Sequence, residues 1–91
     1  MAGILPNTHL KDLNMAYNHI GDEGVKALAL HLLGSYLTDC NLQENEFTSL
    51  GATYLAQAVG ESRLVKLDIS GNKICSTGRF RMISAMPNVR I

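Results

Sequence analysis

At 91 residues the chain has room for one domain, and 46% apolar with 18% charged residues is the mix of a folded chain rather than a disordered one. Eight Lys and Arg balance eight Asp and Glu, so nothing draws the chain to nucleic acid or to an anionic membrane surface. No apolar run nears the roughly eighteen residues of a membrane span, Met1 to Pro6 lack the features of a signal peptide, and two cysteines are too few to staple a secreted fold; an intracellular, reducing location is expected.

The first predicted strand lies in Leu10-Lys-Asp-Leu-Asn-Met15, followed by a bend through Asn18 and an apolar Ile20. Gly24, Leu28 and Leu32 then fall four apart, the spacing of one buried helix stripe. Asp22, just ahead, is a favoured N-cap residue. The same order of residues returns 27 positions on, with Leu37, Cys40, Leu42, Asn45 and Phe47, a helix on Gly51, Leu55 and Val59, and Ser49 as its cap. A third round uses Leu64, Leu67, Ile69, Asn72 and Ile74, a helix on Gly78, Met82 and Met86, and Ser76 as its cap. Three gapless rounds of Leu-x-x-Leu-x-Leu-x-x-Asn-x-Leu, each followed by a helix, are the signature of a leucine-rich repeat.

One unit of this size cannot bury its own stripe, so neighbouring units must share a core. The Asn column has a separate duty. Where the strand bends away, backbone amides and carbonyls lose their ladder partners, and a carboxamide carries donors and acceptors for both. The expected fold is therefore α/β: a leucine-rich-repeat solenoid of about three strand-turn-helix units with a short parallel sheet on its concave side.

Counting by 27 assigns residues 1–9 to the end of a preceding unit, 10–36, 37–63 and 64–90 to three repeats, and Ile91 to the start of a following one. Neither end offers a polar cap, which favours a segment of a longer array over a small protein whose ends a capping partner covers. In the third helix Arg79 takes the column of Val25 and Ala52, and Phe80 takes the outward column of Lys26 and Thr53. A helix turned by one residue accounts for both, and an array loosening toward a boundary is the alternative.

The Asn-x-Ile-Gly-Asp-Glu-Gly-Val-Lys-Ala-Leu run at residues 18–28, within this long helix-bearing unit, resembles the ribonuclease-inhibitor-like class of leucine-rich repeats, and the likeness extends over nearly the whole chain. It implies a horseshoe segment that is intracellular and binds other proteins. Members of the class include the ribonuclease inhibitor, sensor arrays of innate-immune receptors, the Ran GTPase-activating protein, and structural components of cilia and the cytoskeleton. A structural scaffold segment, or part of a GTPase-activating or immune-sensor array, is thus the alternative to a binding module.

In such a solenoid the strand residues between the core columns face the concave side. Lys11, Asp12, Asn14, Tyr17, Asp39, Asn41, Gln43, Glu44, Lys66 and Asp68 are the candidate protein-binding residues there. Asp12, Asp39, Glu44 and Asp68 outnumber Lys11 and Lys66, which suits a basic or polar partner segment, with Tyr17 as an aromatic anchor. A solvated strand face with ordinary polar cover is the competing reading. His9, Tyr36, Arg63 and Arg90 precede the strands in register and form a basic, partly aromatic edge.

No catalytic, cofactor or metal site is expected. His9, His19 and His31 have no ligand spacing, the two cysteines form no Cys-x-x-Cys, and Gly21-Asp-Glu-Gly24 is a helix entry rather than a phosphate cradle. Cys40 takes a core position as a small hydrophobe, and Cys75 precedes the third helix.

Overall fold

The structure, a computed structural model, describes residues 10–91. Residues 1–9, with the preceding unit and His9, lie outside the described residues. Three strands and three helices alternate: β1 (Asp12–Asn14), α1 (Gly21–Leu32), β2 (Asp39–Asn41), α2 (Ser49–Val59), β3 (Lys66–Asp68) and α3 (Ser76–Ala85). The strands form one parallel sheet in chain order. Leu13 pairs with Cys40, and Cys40 with Leu67, on adjacent strands. The helices stack in the same order, α1 on α2 and α2 on α3.

The core lies between these two layers, because each column of apolar side chains is shared by consecutive units. Cys40, Leu42, Phe47, Leu55, Leu67, Ile69, Ile74 and Met82 are buried there. Val25 and Ala52 are fully buried because in each case the next helix covers them.

The Asn column closes the bends as the sequence requires. Asn45, 0% exposed, accepts from the backbone amides of Asn18 (3.0 Å) and Ile20 (3.3 Å) and donates to the carbonyls of Met15 (2.8 Å) and Gln43 (3.1 Å). Asn72 repeats this one unit on, accepting from Asn45 N (2.7 Å) and donating to Leu42 O (2.9 Å). Each carboxamide thus ties its own bend to that of the unit before.

The capping column works differently from expectation. The N-cap positions are Ile20, Thr48 and Cys75, not Asp22, Ser49 and Ser76. Asp22 and Ser49 instead reach across to the following helix. Asp22 Oδ1 accepts from Thr48 N (2.7 Å) and Gly51 N (2.9 Å), and Oδ2 from the Thr48 hydroxyl (2.8 Å). The Ser49 hydroxyl accepts from Cys75 N (2.9 Å). This explains the glycines in the helix column. A Cβ on Gly51 would lie 2.8 Å from Asp22 Oδ1, and one on Gly78 2.7 Å from Ser49 Oγ, so the amide end of each helix stays bare for its neighbour's cap.

These bonds make Asp22 a pH-sensitive joint. Burial opposes its charge, yet the two bonds from Thr48 and one from Gly51 outweigh it and hold the carboxyl below its ordinary value of 3.8. The ionised cap therefore contributes fully above the unfolded value and is lost as pH falls through the lower, folded one. Asp22→Asn is expected to cost about 1 kcal/mol at neutral pH and to flatten the stability loss below about pH 4. Urea midpoints measured from pH 7 to pH 2.5 check this; parallel curves for variant and wild type would refute it.

The third unit departs from the others. Its helix is not turned: Gly78 and Met82 are buried in the columns of Gly51 and Leu55, while Arg79 is exposed and Phe80 is 71% exposed. Arg79 stands outward simply because no later helix among the described residues covers it.

The unit also closes early. Arg90 bridges Asp68, 22 residues back, where Asp68 pairs with Asn41, 27 residues back. Ile69 N donates to Arg90 O (2.8 Å) and Arg90 N to Leu67 O (2.9 Å). Met86, Val89 and Ile91 therefore align with Leu64, Leu67 and Ile69, and Ile91 does not take the first strand position that a 27-residue count assigns it. Pro87 is the physical reason. The residue before a proline is driven out of the helical region, and Met86 is extended at φ −147°, ψ 90°, so the chain passes from α3 into strand pairing with hardly any loop.

Candidate functional site

The strand residues that alternate with the core columns line one open groove of about 530 Å³ across the sheet face. Asp12, Asn14, Asp39, Asn41, Lys66 and Asp68 line it, and so do Asn88 and Arg90 from the early-closing segment. Four other candidates, Lys11, Tyr17, Gln43 and Glu44, are not part of its lining.

Within the groove the side chains divide into two kinds. Asn14, Asn41 and Asp68 each accept, at 3.0 Å, from the backbone amide two residues on, at Ala16, Gln43 and Ser70. A short polar side chain that captures this amide folds the chain into a turn, so this row ends the strands. Asp68 also accepts from the Ser70 hydroxyl (2.7 Å), and Gln43 donates to that hydroxyl (3.1 Å). By contrast, the side chains of Asp12, Asp39, Lys66 and Arg90 make no hydrogen bond or ion pair among the described residues.

Tyr17 and Glu44 occupy the bends beyond the strands at positive φ, 62° and 55°, in one column with Gly71 at 75°. Only glycine takes this conformation without steric cost, so the column is set by the bend. Tyr17 is highly exposed there, away from the groove.

Arg90 is the residue whose place sequence spacing missed. Counted by 27 it joins Tyr36 and Arg63 on the loop edge. Tyr36 and Arg63 do sit there, the guanidinium 4.6 Å from the ring centroid and Arg63 Nη1 donating to Ser35 O (2.9 Å). Arg90 enters the groove instead, because the shortened third unit advances it by five positions.

His19, His31 and Cys75 lie outside the groove, whereas Cys40, with Leu13 and Leu67, is part of its lining. His19 in the bend contacts Glu46 at 2.5 Å, with both side chains well exposed. Burial pushes the Cys40 thiol up to about 12. Cys75, at the α3 N-terminus, is drawn down to about 7 by the Ser49 hydroxyl first, then by the amides of Gly78 and Thr77. The thiolate is the nucleophile, so iodoacetamide at pH 7.5 is expected to label Cys75 in the folded chain and Cys40 only on unfolding. Peptide mass analysis over time checks this, and equal labelling of the two would contradict it. No group of three or more potential metal ligands occurs among the described residues. No helix among them is long and apolar enough to cross a membrane.

A family model described as Leucine Rich repeat matches residues 7–29, the first strand-bend-helix round. None of the curated proteins matches the chain. Leucine-rich repeat domains generally mediate protein–protein contacts and are typically non-enzymatic. The matched segment and the three strand-and-helix units on a parallel sheet together support a leucine-rich repeat family and are consistent with a segment of a leucine-rich repeat solenoid.

Proposed function

We propose that the chain is a protein-interaction module that holds its partner on the sheet face, the concave side of the solenoid. The observation that carries this reading is the set of groove charges with no partner among the described residues, Asp12, Asp39, Lys66 and Arg90. The turn-forming Asn14, Asn41 and Asp68 position this surface without being free to serve a ligand in full. Of the sequence candidates, Asp12, Asp39 and Lys66 are the contact residues, while Lys11, Tyr17, Gln43 and Glu44 flank them. The same reading takes the chain as three repeats of an intracellular array in the manner of the ribonuclease-inhibitor-like class.

Reversal of Asp12 and Asp39 to Lys is expected to abolish most partner capture by the immobilised chain while leaving its stability within the range of neutral surface changes, about ±0.5 kcal/mol. Reversal of Asp68 should instead lower stability, because its carboxylate closes the turn at Ser70. Capture that survives the Asp12 and Asp39 reversals would end this reading.

A second reading, a scaffold piece held through its helix side, draws on Leu30, Leu33, Leu50, Phe80 and Ile83, which are all exposed. It is favoured if Leu30→Asp with Phe80→Asp removes capture while the groove reversals do not.

A further inference from the structure

The free charges of the groove are segregated, and their order describes the partner. The parallel register sets Asp12 beside Asp39 and Asp39 beside Lys66. Arg90 follows on the far side of β3, bridged to Asp68. Both unpartnered carboxylates thus stand on β1 and β2, and both unpartnered cations stand on β3 and the segment after it. The amides Asn14 and Asn41 lie along the neighbouring row, turned toward their own backbone. The unpartnered charges are thus anionic in one half of the groove and cationic in the other, where the turn-forming Asp68 carboxylate stands between Lys66 and Arg90; Leu13, Cys40 and Leu67 complete the lining.

Resting on the reading that this face is the binding site, we infer that its occupant is an extended polypeptide segment of mixed charge, lying across the strands, with a Lys or Arg over Asp12 and Asp39 and an Asp or Glu four residues away over Lys66 and Arg90. The spacing follows from chain geometry. The centres of the two charge pairs are two strand intervals apart, about 10 Å at roughly 4.8 Å each, and the outermost charges, Asp12 and Arg90, about 14 Å, so the ligand's charges must lie between these limits. Four residues of extended chain span about 13 Å, and residues i and i+4 point to the same side. A uniformly basic segment would match the acidic surplus read from the strand residues alone, but it would set a cation against Lys66 and Arg90. Like charges placed together across an interface are what exclude wrong partners. Mixed charge on the ligand is therefore what this groove selects.

The experiment uses the 91-residue chain and a displayed library of random dodecapeptides. The wild type is expected to enrich sequences with opposite charges at i and i+4, in either order, since an extended strand can cross the groove both ways. Lys66→Glu with Arg90→Glu should shift enrichment to uniformly basic sequences and weaken a synthetic mixed-charge peptide about tenfold or more. Unchanged melting curves confirm that the variants are folded. Enrichment of uniformly basic peptides by the wild type, lost in Asp12→Lys with Asp39→Lys but indifferent to Lys66 and Arg90, would overturn the mixed-charge inference and leave the groove as the site. Enrichment indifferent to both pairs, or no enrichment over a variant with Asp12, Asp39, Lys66 and Arg90 all replaced by Ser, would overturn the groove reading and this inference with it.

Discussion

Asn45→Ala is expected to remove about 3 kcal/mol or more of stability, the largest loss from any single polar side chain among the described residues. Four backbone groups depend on its carboxamide: two amides, at Asn18 and Ile20, and two carbonyls, at Met15 and Gln43. Truncation strands them in a site with no solvent exposure, and each stranded buried group costs on the order of 1–3 kcal/mol, less whatever water entering the space restores. A domain of this size gains about 5–10 kcal/mol on folding, so the variant should sit near the edge of stability. Its melting temperature should fall by roughly 12 °C or more. Asn45→Asp should fare no better, because a carboxylate cannot donate to the two carbonyls. The measurement is a pair of thermal melts followed by far-ultraviolet circular dichroism. A shift of only a few degrees for Asn45→Ala would mean that the units are not tied through this column.

Phe47→Ala is the second large loss expected, about 3–5 kcal/mol. Phe47 is fully buried at the bend that leads from β2 into α2, and its ring lies against Gly51, where Asp22 of the preceding unit also docks. Alanine would open a cavity in the middle unit, where both neighbours hold the walls in place and collapse is limited. Ile20 and Ile74 occupy the same column in the outer units, so Phe47→Ile is the informative partner variant. It retains most of the apolar volume and should cost less than half as much. Chemical denaturation of the three proteins side by side tests this. Equal losses for Ala and Ile would show that the ring itself, rather than filled volume, is required at this bend.

The two variants probe different bonds between units, and this explains why so much of the fold was legible in the residues. A solenoid repeats one local solution, so every constraint is sampled once per unit. Apolar spacing, the Asn column and the glycine column recur because each round of chain meets the same neighbours. The pairing of Leu13, Cys40 and Leu67 followed from that recurrence alone. Cap assignment failed for a related reason. Asp22 and Ser49 stand one or two residues past the N-cap positions, inside the first turn, and sequence cannot distinguish a side chain that serves its own helix from one that serves the next.

The candidate site was legible only in part. Alternation along the strands identified Asp12, Asp39 and Lys66, and residue type alone made Asn14, Asn41 and Asp68 look equally available. The turn bonds to Ala16, Gln43 and Ser70 remove these three from the free set, and no pattern of spacing reveals whether a side chain has already found a partner. Tyr17 looked like an anchor because it follows the strand by the right count, but the positive φ of its bend carries it away from the groove.

Length, charge balance and a 27-residue period were enough to specify stacked strand-and-helix units, because burying an apolar stripe that one unit cannot cover alone is a demand the residues state outright. The location of Arg90, the bonds that reach from one unit to cap the next, and the separation of the groove's unpartnered carboxylates from its unpartnered cations were decided only when the chain packed. These depend on distances between residues far apart in sequence, and above all on Pro87 ending the last unit five residues early, which moves a cation from the loop edge into the groove.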